Sequence, residues 1–126
     1  MITPGSKEAM LLMHIAFRGE IIIPAPGWVS YEPQAQIGSN KVHWLETSRA
    51  NNWFPTADEL ERKIKKIGKK KNLIFILNSP NNPSGAVCSN LKELAKVARK
   101  YKIIVLSDEI YTDLIFEKNY NSISKY

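Results

Sequence analysis

Cysteine is almost missing from this chain, with Cys88 standing alone. No intrachain disulfide and no cysteine metal cluster can therefore form. Histidine is nearly as scarce: His14 lies in a helical stripe and His43 alternates with Val42 and Trp44. Neither has a second histidine at ligand spacing, so structural roles are expected for both, and no metal. Apolar runs stay well short of the roughly 20 residues that a membrane span needs. No basic-then-apolar leader opens the sequence. Repeats, low-complexity tracts and convincing linkers are lacking too, which leaves the 126 residues as one domain at most. A content of 44% hydrophobic and 24% charged residues excludes the disordered and fibrous classes. The expectation is a soluble, cytoplasmic chain with no membrane partner.

Acidic residues are absent from one stretch, 62–71, which holds seven of the 18 basic residues. Outside it, 11 basic residues face 12 acidic ones, so the net charge of +6 is one local run and not a field over the domain. No aromatic residue interleaves the run, as a nucleic-acid platform would require. Cations at a helix C-terminus complement its dipole. The run is read as a solvated helix end, and no nucleic-acid partner is expected.

What is present alternates between strand and helix patterns. Thr3 to Phe17 reads as a helix, with Met10, Leu11, Met13, His14 and Phe17 at helical spacing. Glu20 to Ile23 is a short strand stopped by Pro24-Ala25-Pro26-Gly27. A short helix over 28–36 and a strand over 41–45 follow. Thr56 with Glu59 three residues later is a capping box, opening a helix whose Leu60, Ile64 and Ile67 share a face before Gly68 ends it. Leu73 to Leu77 is a buried strand, and Ser89 is expected to cap a helix carrying Leu91, Leu94, Ala95, Ala98 and Tyr101. Ile103 to Leu106 is read as another buried strand, and 112–126 as a polar tail with one apolar patch, Leu114-Ile115-Phe116. Short links between alternating elements predict an α/β three-layer sandwich, a mostly parallel sheet with helices on both faces.

Polar side chains gather at the carboxyl ends of two of these strands, where α/β folds place ligands. Asn78 to Gly85 contains Pro80, Pro83 and Gly85, which stiffen a loop presenting Asn82. That is either a proline-rich turn or a binding loop. Asp108 ends an apolar strand, so its carboxylate is expected to be buried and to need a cationic or donor partner. No basic residue is adjacent to supply one. Glu109 points to the opposite side and could serve a structural pair, while Tyr111 can face the same ligand as Asp108. Gly5-Ser6-Lys7 enters a helix, where free N–H groups can cradle a phosphate or simply make a turn. Trp28 is displayed from a Pro26-Gly27 turn, with Tyr31 one helical turn on, and can stack on a planar ligand or pack on the core rim.

Taken together, Asn82-Pro83-Ser84-Gly85, Ser107-Asp108-Glu109-Ile110-Tyr111, the Gly5-Ser6-Lys7 turn and 26–31 resemble, in the expected order, the class I/II aminotransferases of the fold-type I pyridoxal-phosphate (PLP) enzymes. The resemblance runs from about Thr3 to Phe116. It implies PLP as cofactor and transamination between an amino acid and a 2-oxo acid. Gly5, Ser6 and Lys7 would hold the phosphate, and Trp28 would stack on the ring. Asn82 and Tyr111 would donate to the phenolic oxygen, and Asp108 would pair with the pyridine nitrogen. The resemblance also implies that 1–126 is a partial large domain, inactive alone, without the N-terminal arm, the Schiff-base lysine segment and the small domain. Ser124-Lys125 imitates the lysine motif but arrives too early, and Lys125 is read as a surface lysine. No catalytic residue is therefore assigned within the chain, and a homodimer or other self-association is expected. The same cofactor shell would also serve a carbon–sulfur lyase, an aminocyclopropane-carboxylate synthase, a decarboxylase or a non-catalytic PLP-sensing regulator.

Overall fold

The computed structural model describes residues 2–68, 71–116 and 120–126. Its elements are α1 (Ser6–Ala16), β1 (Glu20–Ala25), α2 (Tyr31–Ile37), β2 (Lys41–Glu46), α3 (Ala57–Ile67), β3 (Leu73–Asn78), α4 (Leu91–Tyr101) and β4 (Ile104–Asp108). Short 3-10 turns stand at Arg49–Asn51, Thr112–Leu114 and Ile123–Lys125. The four strands form one parallel sheet in the order β2-β1-β3-β4.

Helices cover both faces, as the alternating pattern predicts. Met10 of α1 and Tyr31 and Ala35 of α2 pack on Ile21, Ile23, Ile74 and Ile76. Leu60 and Ile64 of α3, with Leu91, Leu94 and Ala98 of α4, pack on Ile22, Phe75 and Leu77. Alternate strand residues thus serve opposite layers, which is why β3 reads as an uninterrupted apolar run and is buried throughout. The capping box of α3 is present, with Thr56 Oγ1 accepting from Glu59 N–H at 3.2 Å and Glu59 Oε2 accepting from Thr56 N–H at 2.7 Å.

Four local expectations shift. The second helix starts at Tyr31, after Trp28, because the Pro26-Gly27 turn delays it. The residue preceding α4 is Asn90, not Ser89, and its side chain turns away to donate to Pro55 O at 2.9 Å. Among the described residues the last strand is an edge strand and not a buried one: it pairs there with β3 alone, and Ile104 is half exposed. The tail is not wholly polar surface, since Ile123 is buried against the α3–α4 layer.

One feature of this topology places the site. The chain goes from β1 to β2 on one side and returns across β1 to β3 on the other, so the strand order reverses between β1 and β3. There the strands pair over only three residues, Glu20 to Ile22 against Leu73 to Phe75, and part toward their carboxyl ends. The parting opens a crevice at the switch point, where side chains from both following loops can meet.

Candidate active site

Three loops and one helix end converge on this crevice. The turn after β1 carries Trp28, the loop after β3 carries Asn82, β4 ends in Asp108 with Tyr111 just beyond, and α1 begins at Ser6. These five side chains line one recess of about 40 Å³, with Tyr31 and Asn78 behind them. The recess widens on two sides. Ser6 and Asp108 also line a largely apolar cleft of about 400 Å³ between α1 and β4. Asn82 and Tyr111 also line a cleft of about 360 Å³ beside Pro83 and Leu114.

Asp108 sits at the centre and is 8% exposed. Tyr31 Oη donates to its Oδ2 at 2.6 Å. Burial first, and then the bond to Asp108, push the Tyr31 phenol well above its ordinary range. Tyr31 therefore stays a donor at any ordinary pH. Among the described residues, no lysine, arginine or histidine forms an ion pair with Asp108. A buried carboxylate held by one phenol is under-compensated and stabilises a cation brought to it.

Asn78 ties the strand ends together. It faces Asp108 in register across β3 and β4. Its Nδ2 donates to Asp108 O at 3.0 Å, and its Oδ1 accepts from Asn82 N–H at 2.7 Å. The loop that follows is stiffened further by Asn81, whose Oδ1 accepts from Ser84 N–H and Oγ at 3.1 and 2.7 Å. Gly85 closes this turn in the left-handed region, at φ +71°, which glycine adopts without steric penalty. The result is a rigid arm that presents Asn82 Nδ2 at 3.4 Å from Tyr111 Oη.

On the other flank, Trp28 meets Tyr31 edge-to-face at 5.5 Å, and Lys7 Nζ lies 5.4 Å from the Trp28 ring centroid. Gly5 is the N-cap of α1 in extended backbone and offers no side-chain cap. A Cβ there would meet nothing within 4 Å, so packing inside this chain does not call for glycine. The first-turn N–H groups of α1 are left available for an anion.

Of the expected site residues, Ser6, Trp28, Asn82, Asp108 and Tyr111 line the recess together. Gly5 and Lys7 do not line it, but stand at the N-cap and over the Trp28 ring. Sequence reasoning missed Tyr31 as the donor to Asp108 and Asn78 as the strap between the strands. The signals were there: Tyr31 opens a helix three residues after Trp28, and Asn78 is the one polar residue ending an apolar strand beside Asp108. Lys125 is exposed, and its Nζ donates to Asn121 Oδ1 at 2.9 Å. His43 is paired with Glu20 at 2.5 Å. Among the described residues no group of three or more His, Cys, Asp and Glu could hold a metal ion, and no helix is long and apolar enough to cross a membrane.

Comparison with known proteins bears on the family and the fold. The aspartate aminotransferase of Thermotoga maritima is 34% identical over 128 residues, covering 98% of this chain and 33% of the relative. That of Pyrococcus horikoshii is 39% identical over 124 residues, covering 93% and 30%. Among solved structures, the aspartate aminotransferase from Thermus thermophilus with maleate superposes with a TM-score of 0.88 at 30% identity, covering 98% of this chain and 32% of that one. The aromatic aminotransferase from Pyrococcus horikoshii OT3 gives 0.85 at 33% identity, covering 97% and 33%. The chain thus spans about a third of the length of the curated relatives it matches. The family model described as aminotransferase class I and II matches residues 1–125, and the chain belongs to that family.

Proposed function

We propose that this chain forms the cofactor-binding part of a PLP-dependent aminotransferase, which in the complete protein moves an amino group between an amino acid and a 2-oxo acid. The observation that carries this reading is Asp108: a buried carboxylate, oriented by the Tyr31 phenol, with no cation paired to it among the described residues. The donor set fits the cofactor at each end. A protonated pyridine nitrogen is the cation that Asp108 lacks. The uncapped start of α1, with Ser6 and Lys7, suits the phosphate. When bound, PLP supplies the electron sink for the substrate α-carbon.

The chain's own residues do the holding and tuning. Asp108 keeps a proton on the ring nitrogen, because releasing it would leave the buried carboxylate uncompensated. Trp28, which lines the recess, would cover one face of the ring and exclude water there. Asn82 Nδ2 and Tyr111 Oη, 3.4 Å apart, would donate to the phenolic oxygen. Asn78 bonds the Asp108 carbonyl and the Asn82 amide, and Tyr31 bonds the Asp108 carboxylate, so both act by positioning. No residue of this chain is assigned the covalent role, Lys125 included. A homodimer working in the cytoplasm, on amino acid and 2-oxo acid substrates, completes the reading.

The test is a titration with pyridoxine 5′-phosphate, which keeps the ring, nitrogen and phosphate but has no aldehyde for surface lysines to capture. Quenching of tryptophan emission should saturate at one equivalent, and Asp108→Ala should weaken binding by about tenfold or more. Trp28→Phe should remove most of the quenching. Equal affinities for the parent chain and Asp108→Ala would refute the reading.

A further inference from the structure

Residues 109–116, just beyond Asp108, have little apolar packing to hold them. Ile110 and Leu114 are each 61% exposed and Phe116 is 93% exposed, so apolar burial does not fix the segment that carries Tyr111. Its internal backbone bonds are those of a short 3-10 turn, Thr112 N–H to Glu109 O at 3.1 Å, Leu114 N–H to Tyr111 O at 3.0 Å and Ile115 N–H to Thr112 O at 3.4 Å. The bond from Asn82 to Tyr111 Oη is long, at 3.4 Å.

Glu109, between Asp108 and Tyr111, supplies the anchor. Its Oε1 accepts from Ser107 Oγ at 2.7 Å and from Ser122 Oγ at 2.7 Å. A carboxylate can only accept, so Ser122 spends its one proton on Glu109. Ser124 must then donate both its Oγ–H, at 2.8 Å, and its N–H, at 3.2 Å, to Ser122 Oγ. This orders Ser122 as the side-chain cap of the last 3-10 turn. The same turn is seated in the core by Ile123, which is 7% exposed and packs with the α3–α4 layer. Tyr120 Oη is buried close by, and burial followed by the Glu109 charge raises its phenol above the ordinary range.

We propose that Glu109 is a positioning residue of the site, a clasp that ties the weakly packed 109–116 segment to the core-seated 122–126 turn and so sets where Tyr111 stands beside Asn82 and Asp108. Charge-assisted bonds of this length are among the stronger ones, and two on one oxygen hold direction as well as distance. Its consequence for ligand affinity rests on the cofactor reading above, whereas the clasp itself does not.

Hydrogen exchange at the Thr112 and Leu114 amides and affinity for pyridoxine 5′-phosphate test it together, with inorganic phosphate as the probe of the far end of the site. Glu109→Ala should speed exchange at both amides, and weaken pyridoxine 5′-phosphate, by about tenfold. Inorganic phosphate affinity should be unchanged. Ser122→Ala, which removes one donor and leaves Ile123 in place, should move both readouts the same way by less. Glu109→Gln keeps an oxygen that accepts from both serines and should stay within about threefold of the parent. Unchanged exchange in Glu109→Ala, or equal loss of inorganic phosphate affinity, would overturn the proposal. A parent chain that binds no pyridoxine 5′-phosphate would sink the cofactor reading instead, and exchange alone would then decide the clasp.

Discussion

Replacing Tyr31 by Phe removes one hydroxyl and leaves the rest of the ring in place. The ring is 1% exposed and packs against Trp28, contacts that Phe retains. What is lost is the 2.6 Å bond to the buried Asp108 carboxylate. A hydrogen bond to a charged group is worth about 1.5–3 kcal/mol. With an unfolding entropy of about 2.1 cal/mol/K per residue, a chain of this size should lose about 6–11 °C in melting temperature. Thermal and urea unfolding at pH 7 measure this. A double-mutant cycle with Asp108→Asn assigns it, since the two losses should fail to add by about 1 kcal/mol or more. Strict additivity, or a Tyr31→Phe loss below about 0.5 kcal/mol, would refute the claim that the phenol holds the carboxylate.

Two further predictions concern the scaffold. His14 is fully buried, neither ring nitrogen is hydrogen-bonded among the described residues, and burial lowers its pKa below 6.5. Above that value both folded and unfolded chains carry it neutral and its contribution is complete. As pH falls below about 6.5 only the unfolded chain takes the proton, so stability should drop by up to about 1.4 kcal/mol per pH unit until the folded pKa is reached. His14→Leu should flatten urea-derived stability over that interval, and parallel profiles would count against it. Lys102 ends α4 at φ 53° and ψ 38° on the surface, so Lys102→Gly should stabilise by about 0.5–1 kcal/mol in the same assay. An unchanged or lower urea midpoint would contradict the strain argument.

The parts of this fold that were legible in sequence are those governed by neighbours along the chain. The Thr56–Glu59 box and the Leu60–Ile64 stripe are local matters of capping and helical period, and α3 follows them. The continuous apolar run of β3 has no alternation because two helix layers cover it. Asp108 could be picked out because polar residues ending apolar strands have few structural uses, and Asn82 and Tyr111 because they lie in the loops that follow two such strands. What escaped reading is tertiary. Tyr31 reaches Asp108 across 77 residues, and nothing local to either announces the pairing. Ser89 and Asn90 are equally good caps by composition, and the neighbouring Pro55 carbonyl decided what Asn90 does. Whether Ile103 to Leu106 forms a central or an edge strand depends on which strands exist beside it, and its apolar composition is the same in either place. Glu109 was visible as a structural acid, but its partner Ser122 lies in a stretch whose burial turns on the single side chain of Ile123.

The role proposed for Asp108 is to pair with the pyridine nitrogen of the cofactor. Its most direct test compares two ligands, pyridoxine 5′-phosphate and the analogue in which a carbon replaces that nitrogen. The parent chain should prefer the nitrogen-bearing ring by about 10- to 100-fold, the worth of a charge-assisted bond in a buried site, and Asp108→Asn should erase most of that preference. Equal affinity of the parent chain for the two rings would contradict the account.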